Sequence, residues 1–258
     1  MKTSGSKKVI FDIGANRGQN IDYYLAKADI VIAIEANPIL INDIRDKHSK
    51  SIKDNRLFTE NCVLTASKIS NSGGGLVDFY LHQNDEQSSV IEPVIADVFI
   101  KKKIRSMSIL ELLEKYLNED SLFYYAKFDI EGIEAQIIES MFDSGYFPTY
   151  ISSEIHTPES FNVIRQSHKY TGYKLIEGSK VPELGVLPIK TRYSIEHTKF
   201  EPHTAGPMGD DLPTPWLNEK SMRFKISIEG CGWKDLHATS LSDITFGKIE
   251  LVLYLLRE

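Results

Sequence analysis

Short apolar, β-branched runs alternate with amphipathic segments over the first 177 residues, the pattern of parallel strands joined by crossover helices. The runs Val9 to Ile13, Ile30 to Ile34, Arg56 to Glu60, Phe123 to Phe128, Tyr150 to Glu154 and Tyr173 to Glu177 predict six strands. Between them the apolar positions recur at helical spacing over Gln19 to Lys27, Ile39 to Lys47, Met107 to Leu117, Ile133 to Phe142 and Pro158 to Tyr170. Gly145 is placed to stop the fourth of these helices, and Thr157-Pro158 reads as a cap followed by proline at the first helical position of the fifth.

Two stretches break this rhythm. From Gly73 to Lys103 a glycine triplet precedes the alternating segment Leu76 to Leu81 and a basic run, Lys101 to Lys103, which predicts a peripheral strand and loop. After Gly178, six of the ten prolines fall between Pro182 and Pro215, and both tryptophans, Trp216 and Trp233, lie in this part of the chain. The expected division is a core over residues 1–177, a proline-rich lid or substrate-binding insertion over 178–247, and a last strand, Ile249 to Leu256, returning to the sheet within 248–258.

Composition narrows the function. At 258 residues, 41% hydrophobic and 26% charged, the chain has globular composition, and its net charge of −6 gives no field that recruits nucleic-acid phosphates or anionic membranes. Cys62 and Cys231 have no CxxC partner, so neither a zinc site nor a disulfide framework is expected. No run approaches the roughly 20 apolar residues that span a bilayer, and the polar N-terminus enters a strand directly; a cytoplasmic protein with no membrane span is the expectation. The oligomeric state is left open, a homo-oligomer included.

VIFDIGANRGQN sets a strand, an acid, two glycines and a helix start in succession. Gly14 and Gly18 lack a Cβ, so the backbone can turn tightly and admit a ligand to the next helix start. Twenty-three residues beyond Asp12, the second strand ends at Glu35, where a carboxylate suits the paired hydroxyls of a ribose. A dinucleotide turn would need glycine where Asn16 and Gln19 stand. A cofactor without phosphates but with a ribose, an adenine and a charged amino-acid tail fits better, and S-adenosylmethionine has that form. Asp12 suits its positive end; with Asn16, Gln19 and Asn37 beside these residues, and Asn61 at the end of the third strand for the adenine edge, the expected cofactor site is complete.

FDIGANRGQN, IEANP, the serine pair in DEQSSV, KFDIEGIEAQII and ISSEIH occur in this order, and together they resemble the FkbM family of S-adenosylmethionine-dependent methyltransferases over roughly residues 8–177. Lys127 to Glu134, KFDIEGIE, is the most specific piece. The resemblance implies an α/β fold of the class I methyltransferase (Rossmann-like) type, a doubly wound seven-stranded sheet with the last strand antiparallel and here an insertion between the last two strands. It also implies O-methylation of a hydroxyl on a sugar, glycan or secondary metabolite. The insertion would sit over the cofactor as a lid.

Methyl transfer to an alcohol needs alignment of the nucleophile and a base for its proton. Ligands of open α/β sheets lie beyond the carboxyl ends of the strands, where the fourth strand ends in Asp129-Ile130-Glu131 and the fifth in Glu154-Ile155-His156. Alternation puts Asp129 with Glu131, and Glu154 with His156, on common sides. His156 is the natural base, with Glu131 or Glu154 orienting it and Asp129 near the sulfonium. The alternatives are that Glu131 caps the next helix or pairs with Lys127, and that His156 caps the helix after it. Such a cluster could also hold a divalent metal that acidifies the hydroxyl. Ser88, Ser89, His203 and Trp216 are the candidate contacts to a small-molecule or glycan acceptor, the indole by stacking on a sugar ring. N-methylation of a small molecule and a nucleotide-binding oxidoreductase are the rival readings. The Tyr-x-x-x-Lys pairs at Tyr170/Lys174 and Tyr23/Lys27 do not favour the latter, since Gly172 interrupts one and the other lies beside the glycine loop.

Overall fold

In the computed structural model, which describes residues 5–67, 75–82, 88, 91 and 99–247, the chain runs through β1 (Lys7–Ile13), α1 (Ile21–Lys27), β2 (Ile30–Ile34), α2 (Pro38–Lys47), α3 (Ser49–Lys53) and β3 (Leu57–Glu60). A side sheet follows, made of β4 (Val63–Thr65), β5 (Leu76–His82) and β6 (Phe99–Ser108). The chain then returns through α4 (Ile109–Tyr116), β7 (Ser121–Phe128), α5 (Glu134–Asp143), β8 (Tyr150–Glu154), α6 (Glu159–Gln166) and β9 (Gly172–Glu177). Beyond it come the β10 (Val186–Lys190) and β11 (Ile195–Lys199) hairpin, α7 (Glu219–Glu229) and β12 (Lys234–Thr239).

The main sheet has the order β3-β2-β1-β7-β8-β12-β9, with β12 antiparallel to both neighbours. All six expected strands are present. The antiparallel seventh position is filled by Lys234–Thr239, not by the Ile249 to Leu256 run expected there, and that run lies outside the described residues. The six residues KDLHAT do not read as a strand because their polar positions are not the water-facing ones: His237 is buried and Asp235 lines the cavity. The segment expected as a peripheral strand and loop is instead a β5–β6 hairpin, in which Asp78 pairs with Lys101 and Lys103. Ser108 and Glu111 form a reciprocal capping box that starts α4. Pro158 occupies the cap position of α6 without a side-chain cap, so the Thr157 cap is displaced by one residue.

Each face of the sheet carries its own core. Ile109, Leu113, Met141, Phe161 and Met222, from helices α4 to α7, cover one face. The other is covered by α1, α2 and by the insertion, through Phe200, Met208, Leu212 and Trp216 packed with Tyr23, Tyr125 and Tyr150. Much of the insertion therefore packs as a third layer on the sheet. Polar contacts fasten it. Asp211 accepts from Lys27 Nζ at 2.6 Å and from Tyr23 OH at 2.7 Å, and Tyr23 OH in turn accepts from Met208 N at 3.0 Å. The buried Lys174 donates to the carbonyls of Gly209 and Leu212 at 2.9 and 2.6 Å. Trp216, 5% exposed, lies parallel to Tyr150 and donates from Nε1 to Asp210.

The side chains of Lys27 and Asp211 are each 9% exposed, so removing one partner strands the other charge in the interior. Asp211→Ala is expected to lower unfolding stability by about 3 to 5 kcal/mol, measured by urea denaturation. Lys27→Met with Asp211→Leu should recover most of that loss, because no unpaired charge then remains buried.

Candidate active site

The sheet order reverses between β1 and β7, and a cavity of about 480 Å³ opens at the carboxyl ends of the strands there. Its cofactor side is built by the β1–α1 turn. Gly14 has φ +82°, and a Cβ on it would lie 1.7 Å from the Asp129 carbonyl oxygen. Its amide and that of Ala15 donate to Ile34 O at 3.0 and 2.9 Å, clamping β1's end to β2's. Gly18 has φ +70°, and its missing Cβ makes room for Ile21 and Ile44 of the two helices. That glycine serves helix packing and does not line the cavity.

Glu35 lies buried at the cavity edge, with Oε2 accepting from Asn16 N and Oε1 from Asn37 N, both at 2.8 Å. Burial outweighs these two donors and pushes its carboxyl up to about 7. Each oxygen keeps acceptor capacity toward the cavity. Asn37 caps α2 through Ile39 N, and the Asn61 amide donates to Glu35 O and Ala36 O. Both asparagines therefore hold the loop in shape and are absent from the cavity wall, whereas Gly14, Asn16 and Gln19 are on it. Asp12 lies beneath the floor, fully buried, with neither oxygen hydrogen-bonded among the described residues and Lys127 Nζ 3.8 Å away. Burial raises it to about 6 despite the lysine.

The turn after β7 explains the KFDIEGIE motif. Glu131 at φ +60° and Gly132 at φ +109° fold the chain back, and the buried Glu134 carboxylate accepts from Ile130 N at 3.0 Å and from Gly132 N at 3.0 and 3.1 Å. Glu134 thus does the capping considered for Glu131. Lys127 pairs with Asp129 at 3.0 Å rather than with Glu131. Freed from both jobs, Glu131 turns to His156, whose Nε2 lies 3.5 Å from Glu131 Oε2 and 3.1 Å from Glu154 Oε2. One donor atom from each of these three residues lies within 4.8 Å of the others, a spacing that could hold a cation. Burial first, then Asp129, Glu131 and Asp235, push Glu154 up to about 9.

Asp129, Glu131, Glu154 and His156 all line the cavity, as do Ser88 and His203. Ser88 Oγ accepts from His82 N at 3.0 Å; Ser89 lies outside the described residues. Trp216 is on the far face, spent on Tyr150 and Asp210. Among the lining residues that the sequence reading did not place in the site, Lys127, Asp235 and Trp233 carry the most chemistry. Antiparallel pairing sets Asp235 directly opposite Glu154, and desolvation with Asp129 nearby raises it to about 7. The signal available was GCGW-K-D, a glycine turn running straight into an acid, but only the strand's position in the sheet gives it a site.

This sheet order, with one antiparallel strand and helices on both faces, is that of class I methyltransferases. The Methyltransferase FkbM domain matches residues 12–175, so the chain belongs to the FkbM methyltransferase family. Similar solved structures include a methyltransferase FkbM from Methylobacillus flagellatus KT, at 16% identity and a TM-score of 0.39, covering 67% of this chain; the chain spans 40% of that protein's length. A precorrin-6y C5,15-methyltransferase from Geobacter metallireducens GS-15 is 14% identical, with 74% of each chain covered and a TM-score of 0.33. The [4+2]-cyclase SpnF is 8% identical, with 68% of this chain and 55% of its own covered and a TM-score of 0.34. No curated protein matches the chain.

Family membership implies S-adenosylmethionine as cofactor. The site fits it. Glu35 offers acceptor capacity where a ribose would lie, and Asp129, Glu154 and Asp235 crowd around the single lysine of the cavity wall, Lys127, with the carboxyls of Glu154 and Asp235 pushed up by burial and by Asp129; a ligand with a positive sulfur and an ammonium would relieve that crowding. Among the described residues no helix is long and apolar enough to cross a membrane.

Proposed function

We propose that the protein is an S-adenosylmethionine-dependent O-methyltransferase acting on a hydroxyl of a sugar, glycan or secondary metabolite. The observation that carries this reading is the meeting of Glu131, Glu154 and His156 in the same cavity as Glu35, so that a base faces the place where a cofactor's reactive end would sit. The cofactor, when bound, supplies a methyl carbon activated by positive sulfur. Glu35 holds the ribose hydroxyls; Asp129, itself held by Lys127, faces the positive end. His156 takes the acceptor proton, and the Glu131 carboxylate beside Nε2 stabilises the imidazolium that results. The same three donors suit an oxygen-preferring divalent cation, which would acidify the hydroxyl in place of a free base. Residues 178–247 brace the sheet and also give the cavity Gly178, the loop His203 to Ala205, Trp233 and Asp235.

Calorimetry with S-adenosylmethionine, S-adenosylhomocysteine and NAD, each with and without EDTA, tests the reading. Binding of both adenosyl ligands and not of NAD is expected; tight NAD binding with no response to either adenosyl ligand would overturn it. The affinity should also depend on pH. The Glu35 carboxyl, raised from its ordinary value to about 7 in the free protein, must be ionised to accept both ribose hydroxyls. Affinity for S-adenosylhomocysteine should therefore hold above pH 7 and fall as pH drops below it, by up to about tenfold per pH unit for one proton. Asp12 and Asp235 titrate nearby, so Glu35→Gln assigns the effect: it should weaken binding about tenfold at pH 8 and flatten the slope.

A further inference from the structure

The two tryptophans have opposite fates. Trp216 is 5% exposed with its N–H spent on Asp210, while Trp233 is 54% exposed on the cavity wall and its indole N–H makes no hydrogen bond to the described residues. What sets Trp233 apart from the other exposed apolar side chains is its place on the wall of the cavity, where its ring and N–H can meet a ligand.

The ring is also held in place. A Cβ on Gly178 would lie 2.4, 2.5 and 2.9 Å from Cε2, Nε1 and Cδ2 of Trp233, so the centre of one indole face rests on the Gly178 backbone. Gly178 N donates to Trp233 O at 3.0 Å, which fixes the pair from both sides. The preceding Gly230 and Gly232, at φ +70° and +144°, bring the loop back so that Gly232 N donates to Ile155 O and Ile155 N donates to Lys234 O, both at 2.9 Å. Ile155 lies between Glu154 and His156. The indole is thus tied through the backbone to the same strand end that carries the proposed base.

We propose that Trp233 is the platform on which the acceptor's ring stacks, and that the acceptor is a pyranoside rather than a planar phenol. This rests on the methyltransferase reading above. One aromatic face in a cavity also lined by Glu131, Glu154, His156 and Thr204 suits a ring with one apolar face of C–H bonds and several hydroxyls at its edge. A phenol offers these polar groups a single hydroxyl. Stacking on Trp233 would present a ring hydroxyl to His156, and the free indole N–H would bind a hydroxyl or ring oxygen.

The test uses the full chain labelled with fluorotryptophan and saturated with S-adenosylhomocysteine, followed by fluorine NMR. Two resonances are expected, assigned by Trp233→Phe, and the Trp216 signal reports that the fold is intact. Titration with a panel of methyl pyranosides should move the Trp233 resonance alone, and phenol or a linear polyol should not. By calorimetry, Trp233→Ala should weaken the best glycoside about tenfold, Trp233→Phe should retain most of the affinity, and both should bind S-adenosylhomocysteine as the unaltered protein does. If phenol moves the Trp233 signal and pyranosides do not, or if no pyranoside moves it while S-adenosylhomocysteine is bound, the proposal is overturned. Failure of the unaltered protein to bind S-adenosylhomocysteine would instead count against the methyltransferase reading itself.

Discussion

His156→Ala is expected to reduce kcat on a hydroxyl acceptor by about 10² to 10⁴-fold, the usual contribution of a positioned base, while leaving the affinity for S-adenosylhomocysteine almost unchanged. The separation follows from geometry. Nε2 of His156 faces Glu131 and Glu154, whereas the turn that would hold the ribose is built from Gly14, Asn16 and Glu35 on neighbouring strand ends. Asp129→Asn is expected to affect both quantities, since its carboxylate pairs with Lys127 at 3.0 Å and faces the cavity. Losing that charge also leaves Lys127 with only Asp12, at 3.8 Å, as a carboxylate ion-pair partner among the described residues. Wild-type turnover in both variants would show that the base lies elsewhere, even with the fold unchanged. If EDTA abolishes turnover in the unaltered protein and an added divalent cation restores it, the three donors hold a metal and the loss in His156→Ala is a loss of metal affinity.

The second large effect is expected at Gly14. Gly14→Ala should destabilise the protein by about 3 to 5 kcal/mol, combining left-handed strain with overpacking, and should abolish adenosyl-ligand binding. The obstacle is backbone, not a side chain that can rotate away: the new Cβ would lie 1.7 Å from the Asp129 carbonyl oxygen. Moving that carbonyl disturbs the turn that carries Asp129 and Glu131. Gly18→Ala provides the contrast. At φ +70° it carries the same left-handed strain, but its Cβ would meet side-chain atoms, Ile21 Cδ1 and Ile44 Cγ1, at 2.8 and 3.0 Å rather than backbone, so a smaller loss, of about 2 to 3 kcal/mol, is expected. Urea midpoints for the two variants check the order, and equal midpoints would refute the account of Gly14.

The six parallel strands were legible because each is an uninterrupted apolar run bounded by turns, and the reversal of strand order placed the cavity. The acids at the ends of β7 and β8 were legible for the same reason: a strand end is a fixed position, and alternation decides which side chains share a side. Legibility stopped at polar residues that face inward. Glu134 reads as a surface helix residue, yet its buried carboxylate closes the DIEG turn. Asp235 and His237 made β12 look like a loop.

Trp216 and Trp233 look equivalent in the chain, yet Trp216 is buried with its N–H on Asp210 while Trp233 lines the cavity. Their roles follow from which face of the sheet each reaches, and local pattern carries no record of that. The sequence by itself determined the strand order's acidic rim, the glycine turn and the family, because those depend on residues within one strand–turn–helix unit. Tertiary structure decided which strand closes the sheet, that much of the insertion packs on one face of it, and that Lys127, Asp235 and Trp233 line the cavity. Each of those depends on contacts between segments tens of residues apart, set by burial and pairing across the sheet.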